Sequence, residues 1–203
     1  MRPLDLDGAW LFTPQIHSDR RGSFHEWFSN VTLEASIGRR LQIAQANCSV
    51  SRRGVIRGIH FGDVPPGQAK FVTCTSGAIH DVIVDVRVGS PQFGCWTSVE
   101  LNADNNDAVF IEEGLGHGFV ALTDQATVFY LSSAPYDPAL EHSVNPLDRQ
   151  LDIEWPIADA SILSDKDATA PSLAAALVAG LLPDYARCQR LVSAYRGSVL
   201  TQD

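Results

Sequence analysis

A chain of 203 residues with 45% hydrophobic and 19% charged residues is typical of one globular domain with a sizeable core. The formal net charge of −9 argues against a nucleic-acid partner, because such a partner requires a broad basic surface. Three further features predict a cytoplasmic protein that does not interact with membranes. The cysteines are scattered without a CxxC pair, and the N-terminal MRPLDLDGAW lacks an apolar core. The chain also has no apolar run of about 18 residues.

Short apolar segments separated by Gly, Pro, Asn and Asp predict many short β-strands. The first, AWLFT (9–13), precedes a turn-rich segment at 18–23 and a weak helical pattern at 30–41. Further strands are predicted at 42–50, 54–61, 69–75, 78–88, 96–101, 108–113, 116–122 and 126–132. No long helical segment interrupts residues 42–133, so a parallel βαβ sheet is disfavoured and a sandwich or barrel is favoured.

The character of the chain changes at Pro171. The segment PSLAAALVAGLLPDYARCQRLVSAY is rich in Ala and Leu at helical spacing and is broken by Gly180 and Pro183. It predicts two short helices appended to the β core. We therefore expect a core domain at 1–170 and a helical extension of that same domain at 171–203.

Residues 53–72, RGVIRGIHFGDVPPGQAKFV, combine one histidine with one of the two lysines of the chain, across a Pro-Pro-Gly turn. A metal site is one interpretation, since His60, His80 and His117 lie on three predicted strands. The His-x-His pair that metal-binding β-barrels often carry is missing. Proton transfer is the other functional interpretation, and it requires only a base, an acid and a cation beside developing negative charge.

Each candidate also has an ordinary structural interpretation. His60 could be a hydrogen-bonded core histidine, and Lys70 a solvated lysine at a strand edge. Arg57 should point to the strand face opposite His60, unless a bulge at Gly58 redirects it. Tyr130 could be a core tyrosine, and Asp167 a helix cap or turn carboxylate. These alternatives stay open when each residue is considered alone.

Taken in order, seven motifs resemble one known family: RGxxRGIHF, PPGQAKFV, DVxVDVRVGSPxFGCW, EGLGHGF, the FY of ATVFYLS, NPLDxxLxIxWP and LSDKD. Over residues 5–171 the chain is similar to dTDP-4-dehydrorhamnose 3,5-epimerases. The segment APYDPALEHSVNPLD resembles the antibiotic-deoxysugar branch of that family. The resemblance implies an all-β, cupin-type double-stranded β-helix (a jelly-roll sandwich) with short C-terminal helices. It also implies catalysis without a metal or another cofactor.

The resemblance implies roles for individual residues. His60 matches the catalytic base, Asp167 its dyad partner, Tyr130 the acid on the opposite face of the sugar, and Lys70 the cation beside the C4 oxygen. Substrate-binding positions are implied for Arg21, Phe24, Glu26, Gln45, Asn47, Arg57, His117, Tyr136 and Lys166. In this family some of these residues come from the second subunit of a homodimer.

The implied reaction inverts C3, and possibly C5, of a dTDP-4-keto-6-deoxy-hexose by proton abstraction and reprotonation. The chain departs from the family pattern at Leu131-Ser132, Pro135, Ala46 and Glu112, none of which matches the base, the dyad or the acid. These departures bear on whether C5 reacts. A metal-dependent cupin enzyme and a catalytically silent nucleotide-sugar binding module are the alternatives.

Overall fold

Two antiparallel sheets face each other in the computed structural model, which describes residues 1–157 and 162–199. In spatial order the first sheet contains β1 (Arg2–Pro3), β2 (Ala9–Phe12), β10 (Ala108–Ile111), β7 (Lys70–Ser76), β12 (Ala126–Ser132) and β5 (Gln45–Ser51). The second contains β13 (Glu141–Ser143), β6 (Ile56–Gly62), β11 (Gly116–Ala121), β8 (Ala78–Val84) and β9 (Trp96–Asn102). The predicted jelly-roll sandwich is confirmed.

The space between the sheets is filled by residues that alternate along the strands. Val72, Val109 and Val128 of the first sheet meet Ile79 and Ile83 of the second sheet in one apolar cluster, and all are almost fully buried. Successive strand residues point to opposite faces, so each strand contributes about every second residue to this cluster. The main driving force for this layer is removal of apolar surface from water.

The outer faces of both sheets are also covered, which explains why several strands are apolar along their whole length. Helix α1 (Asn30–Ile37) packs Leu33 and Ile37 against Phe71 and Phe110 of the first sheet. It ends earlier than the 30–41 pattern predicted, because Gly38 adopts a left-handed conformation with φ of 73° and caps it.

Two predicted elements differ from the structure. The turn-rich segment 18–23 forms the centre of a separate hairpin, β3 (His17–Asp19) with β4 (Gly22–Phe24). The strand predicted at 78–88 ends at Val84, and beyond this end Asp85 and Arg87 form a buried ion pair of 2.7 Å. A strand pattern cannot distinguish such a pair from alternating inward and outward residues.

The C-terminal part is helical as predicted, but with unequal helices. A single turn, α2 (Asp165–Ala168), precedes α3 (Leu173–Val178) and the 15-residue α4 (Tyr185–Val199). Gly180, at φ of 68°, lies in the bend between α3 and α4. Residues 200–203 of the predicted extension lie outside the described residues. Within the described part, no helix is long and apolar enough to cross a membrane.

Candidate active site

A cavity of about 430 Å³ has walls from both sheets and from helix α2. Ten of the thirteen residues predicted for the site line it. They are Gln45, Asn47, Arg57, His60, Lys70, His117, Tyr130, Tyr136, Lys166 and Asp167. The fold therefore brings together residues that are up to 122 positions apart in the sequence (167 − 45).

A bulge in strand β6 places Arg57 and His60 on the same wall. His60 pairs with His117 and Arg57 pairs with Phe119, so two residues of β6 oppose the single Gly118. Gly58 has φ of 120°, and a Cβ there would lie 2.5 Å from the Gly118 Cα. The bulge therefore requires glycine. It turns Arg57 to the same strand face as His60, which is the alternative that the sequence analysis gave for a bulge at Gly58.

His60 and Asp167 form a hydrogen-bonded dyad. His60 Nε2 lies 2.7 Å from Asp167 Oδ1, and the Asp167 side chain is 4% exposed. Burial works against the ionised Asp167, but bonds from His60, the Ser164 side chain and the Gly58 backbone outweigh it and lower its pKa. An ionised carboxylate only accepts hydrogen bonds, so it holds the proton on Nε2 and leaves Nδ1 as the basic nitrogen.

Lys70 is buried at the start of the interior strand β7, which excludes the solvated edge lysine considered from the sequence. Its Nζ donates to Gln68 Oε1 at 2.6 Å. Burial lowers the pKa of Lys70 to about 8, and the negative charge of Glu141 partly opposes that shift. The ammonium in the cavity wall has thus lost part of its hydration. This loss of water strengthens its electrostatic attraction for nearby negative charge.

Tyr130 faces the cavity from strand β12, in the sheet opposite the one that carries His60. Burial and the nearby charge of Glu141 raise its pKa, while Arg57 acts against the shift. The phenol therefore stays protonated at neutral pH and can donate a proton. Because His60 and Tyr130 stand on opposing sheets, a ring bound between them would meet them on opposite faces.

The remaining cavity residues are mostly held by neighbouring polar groups. His117 Nε2 lies 2.7 Å from Asp81 Oδ2, and Arg57 Nε donates to Ser51 Oγ at 3.0 Å. Gln45 Nε2 donates to Asn47 Oδ1 at 2.6 Å. These bonds reduce the number of conformations that each side chain must lose on binding a substrate.

The rim of the cavity carries a second charged pair. Lys166 Nζ donates to Glu141 Oε1 at 2.6 Å and lies 6.0 Å from the centre of the Tyr136 ring. Tyr136 is 54% exposed, so this aromatic side borders solvent. Lys166 directly precedes Asp167, and its ion pair therefore also holds helix α2 against strand β13.

Three predicted site residues do not reach this cavity. Arg21 and Phe24 lie on or beside the β3–β4 hairpin, and Glu26 follows it. Phe24 is 70% exposed, and the Arg21 guanidinium is held by Asp19 at 2.6 Å. Their predicted role in substrate binding stays a prediction.

Sequence reasoning missed Gln68, Asp81 and Glu141. Gln68 lies within the PPGQAKFV motif two residues before Lys70, so the sequence held a signal for it. Asp81 sits in an apolar strand, where a carboxylate indicates a buried partner. Glu141 has no comparable signal, because only the pairing of strands β13 and β6 brings it to the cavity.

Two of the three histidines considered as metal ligands, His60 and His117, face the cavity, each bound to its own carboxylate. His80 packs near Trp155, with 6.4 Å between ring centres. Among residues 1–157 and 162–199, no group of three or more His, Cys, Asp and Glu side chains is arranged to hold a metal ion.

A carboxylate-bound histidine facing a protonated tyrosine, with a buried cation beside them, is equipped to move a proton from one face of a carbon to the other. Within a jelly roll, this arrangement is that of an isomerase of the cupin class. The sequence profile described as dTDP-4-dehydrorhamnose 3,5-epimerase matches residues 3–175. The chain belongs to this family, whose members are isomerases of dTDP-linked sugars.

Solved and curated relatives are similar over nearly the whole chain. A dTDP-4-dehydrorhamnose 3,5-epimerase of Mycolicibacterium smegmatis is 52% identical over 98% of this chain and 98% of its own. ChmJ, a 3'-monoepimerase from Streptomyces bikiniensis solved with dTDP-quinovose, is 50% identical with a TM-score of 0.94, covering 97% and 99%. NovW, from the novobiocin cluster of Streptomyces spheroides, is 55% identical with a TM-score of 0.90, covering 93% and 94%.

Proposed function

We propose that the chain inverts C3 of a dTDP-4-keto-6-deoxy-hexose, with C5 as a second centre or not at all, in the cytoplasm. The single observation that carries this proposal is the placement of His60 and Tyr130 on opposing walls of one cavity that also holds Lys70. Overall identity does not select the number of centres, because a 3'-monoepimerase and a 3,5-epimerase are similar to this chain at 50% and 52%. The four cysteines are free, which fits a reducing compartment.

The proposed reaction uses the acidity that a C4 ketone confers on the neighbouring C3–H bond. His60 removes the C3 proton, and the electron pair moves to the C4 oxygen as an enolate. The Lys70 ammonium stabilises that oxygen, and Asp167 stabilises the protonated His60. Tyr130 then delivers a proton to C3 from the opposite face as the enolate collapses to the ketone. This leaves a protonated histidine and an ionised tyrosine, which exchange with solvent to restore both.

The assignment of C3 as the reacting centre is tested by proton NMR in D₂O, without and with EDTA. The substrate, dTDP-4-keto-6-deoxyglucose, is generated in place by a 4,6-dehydratase. Deuterium at C3 supports the proposal, and deuterium at C5 as well shows that both centres react. Exchange at C5 alone contradicts the assignment of C3. Loss of exchange on adding EDTA would favour a metal-dependent cupin enzyme, and no exchange under any condition would favour a silent nucleotide-sugar binding module.

The charge of Lys70 predicts the alkaline side of the pH profile. Catalysis needs the ammonium form, so kcat/KM should fall as pH rises through the Lys70 pKa of about 8. Glu141 favours the ammonium form, so Glu141→Gln should move this fall to lower pH and reduce kcat/KM roughly three- to tenfold at pH 9. The measurement is the pH dependence of kcat/KM.

The matched control for this prediction is Glu154→Gln, which removes the same charge from an exposed position. It should leave the profile unchanged. A Glu141→Gln profile that coincides with that of the wild type would show that Glu141 does not act on the charge of Lys70.

We further propose that the active unit is a homodimer in which the β3–β4 hairpin contributes to the partner's cavity. The hairpin strands pair with each other, and Phe24 projects 70% exposed. The edge strand β5 of the first sheet also carries Val50 at 52% exposure, on the strand face opposite to that of the cavity residues Gln45 and Asn47. Sedimentation equilibrium at micromolar concentration checks this proposal, which a species of only 22.0 kDa would contradict.

A further inference from the structure

The C-terminal helix α4 lies against two turns that lead into the active site. The Pro-Pro-Gly turn (64–67) precedes Lys70, and the Glu-Glu-Gly turn (112–116) precedes His117. A Cβ built on Gly67 would lie 2.7 Å from the Glu113 Cβ and 3.4 Å from Leu191 Cδ2. The two turns and helix α4 therefore meet at one point without room for another side chain.

Helix α4 also covers a buried ion pair between Arg39 and Glu113. Arg39 donates to both carboxylate oxygens of Glu113 at 2.6 and 2.9 Å, and the two side chains are 2% and 0% exposed. The Tyr195 ring lies 4.6 Å from the Arg39 guanidinium, and Arg196 donates to Glu112 at 2.8 Å. A buried ion pair is favourable only with close geometry and with water excluded, so helix α4 supports the position of Glu113.

Each turn is joined to a cavity residue by only a few residues, so a displacement of the turn would also displace that residue. Lys70 is three residues beyond Gly67, and its ammonium is bonded to Gln68 in the intervening segment. Gln68 in turn donates to the Ala134 carbonyl at 3.1 Å. His117 is the second residue of strand β11, which begins directly after the second turn, and it is bonded to Asp81 on strand β8.

We infer that Leu191 and Tyr195 of helix α4 are positioning residues for Lys70 and His117. Within the described part of the chain, neither lines the cavity, so both act through the two turns. The C-terminal extension is on this inference part of the catalytic unit, in agreement with its expected place in the same domain. The inference rests on the proposed function, because Lys70 and His117 matter only if the cavity performs the proton transfer.

The test is Leu191→Ala, which removes the side-chain atoms that close the space beside Gly67. We expect kcat to fall about tenfold, since small displacements of catalytic groups have large effects on rate. We also expect the alkaline fall of the pH profile to lie at higher pH than in the wild type, because a loosened turn admits water to Lys70. Leu191→Met, which fills the same space, should restore both values.

Arg190→Ala, at an exposed position of the same helix, is the control and should match the wild type. All rates are measured well below the melting temperature of each variant, so that a loss of stability does not enter. A Leu191→Ala enzyme with a lower melting temperature but unchanged kcat and pH profile would overturn the inference. If that variant does not fold, Leu191→Val is judged by the same criteria. Absence of exchange in the wild type would instead reject the proposed function.

Discussion

His60→Gln is expected to reduce hydrogen exchange at C3 about 10³-fold or more, because the amide cannot accept the substrate proton. Glutamine can still donate a hydrogen bond to Asp167, whose carboxylate is 4% exposed and would otherwise lack its partner at 2.7 Å. Binding of dTDP should change little, since Gln45, Asn47 and Arg57 line the cavity independently of His60. Exchange is followed by NMR in D₂O, and dTDP binding by calorimetry.

The control for this variant is His142→Gln. His142 is also a partly exposed histidine bound to a carboxylate, at 2.8 Å from Asp63, but it lies outside the residues that line the cavity. It should exchange C3 at the wild-type rate. If His60→Gln loses dTDP binding as completely as exchange, His60 is a structural residue and the assignment of the base is wrong.

Tyr130→Phe is expected to separate proton loss from inversion. His60 and Lys70 remain, so the enolate still forms and the C3 hydrogen is still lost to solvent. Net inversion should fall about 10²-fold or more, because the phenol proposed to deliver the proton from the opposite wall is missing. The measurement compares the rate of deuterium entry at C3 with the rate at which the inverted sugar accumulates.

Thr127→Ala is the control for the Tyr130 variant, since Thr127 lies on the same strand and outside the cavity. It should retain both rates. Full turnover by Tyr130→Phe would remove Tyr130 from the role of acid. A parallel loss of exchange and inversion would assign it instead to substrate binding or to the first proton transfer.

The strand pattern was predictable because burial on either face of a sheet selects apolar residues at fixed spacing. It predicted strands close to β5 through β12, and the order of the motifs predicted the family. The pattern was less reliable where a charge is buried. Asp85 and Arg87 interrupt the predicted 78–88 strand, and their ion pair depends on packing that spacing alone does not show.

The position of Arg57 illustrates what the strand pattern left open. Three residues along a regular strand place two side chains on opposite faces. The bulge at Gly58 reverses this result and brings Arg57 and His60 to the same wall. Whether a glycine in a strand forms a bulge depends on the neighbouring strand, here on the close approach of Gly118.

The burial of Lys70 and the position of Glu141 depend still more on tertiary structure. A lysine after a turn predicts a solvated edge, but strand β7 lies between β10 and β12, and Lys70 is therefore buried. Glu141 enters the site from the short strand β13, which pairs with β6 about 80 residues earlier in the chain. This pairing between segments remote in the sequence places the negative charge of Glu141 near Lys70 and Lys166.

The sequence by itself determined the class of fold and the family, and it indicated ten of the residues that line the cavity, because hydrophobic periodicity and motif order are properties of the chain. Only the tertiary structure decided which side chains share a cavity, that His60 and Tyr130 stand on opposite walls, and that Lys70 has its pKa lowered to about 8. These properties depend on distance and on exclusion of water, which arise when segments remote in the sequence pack together.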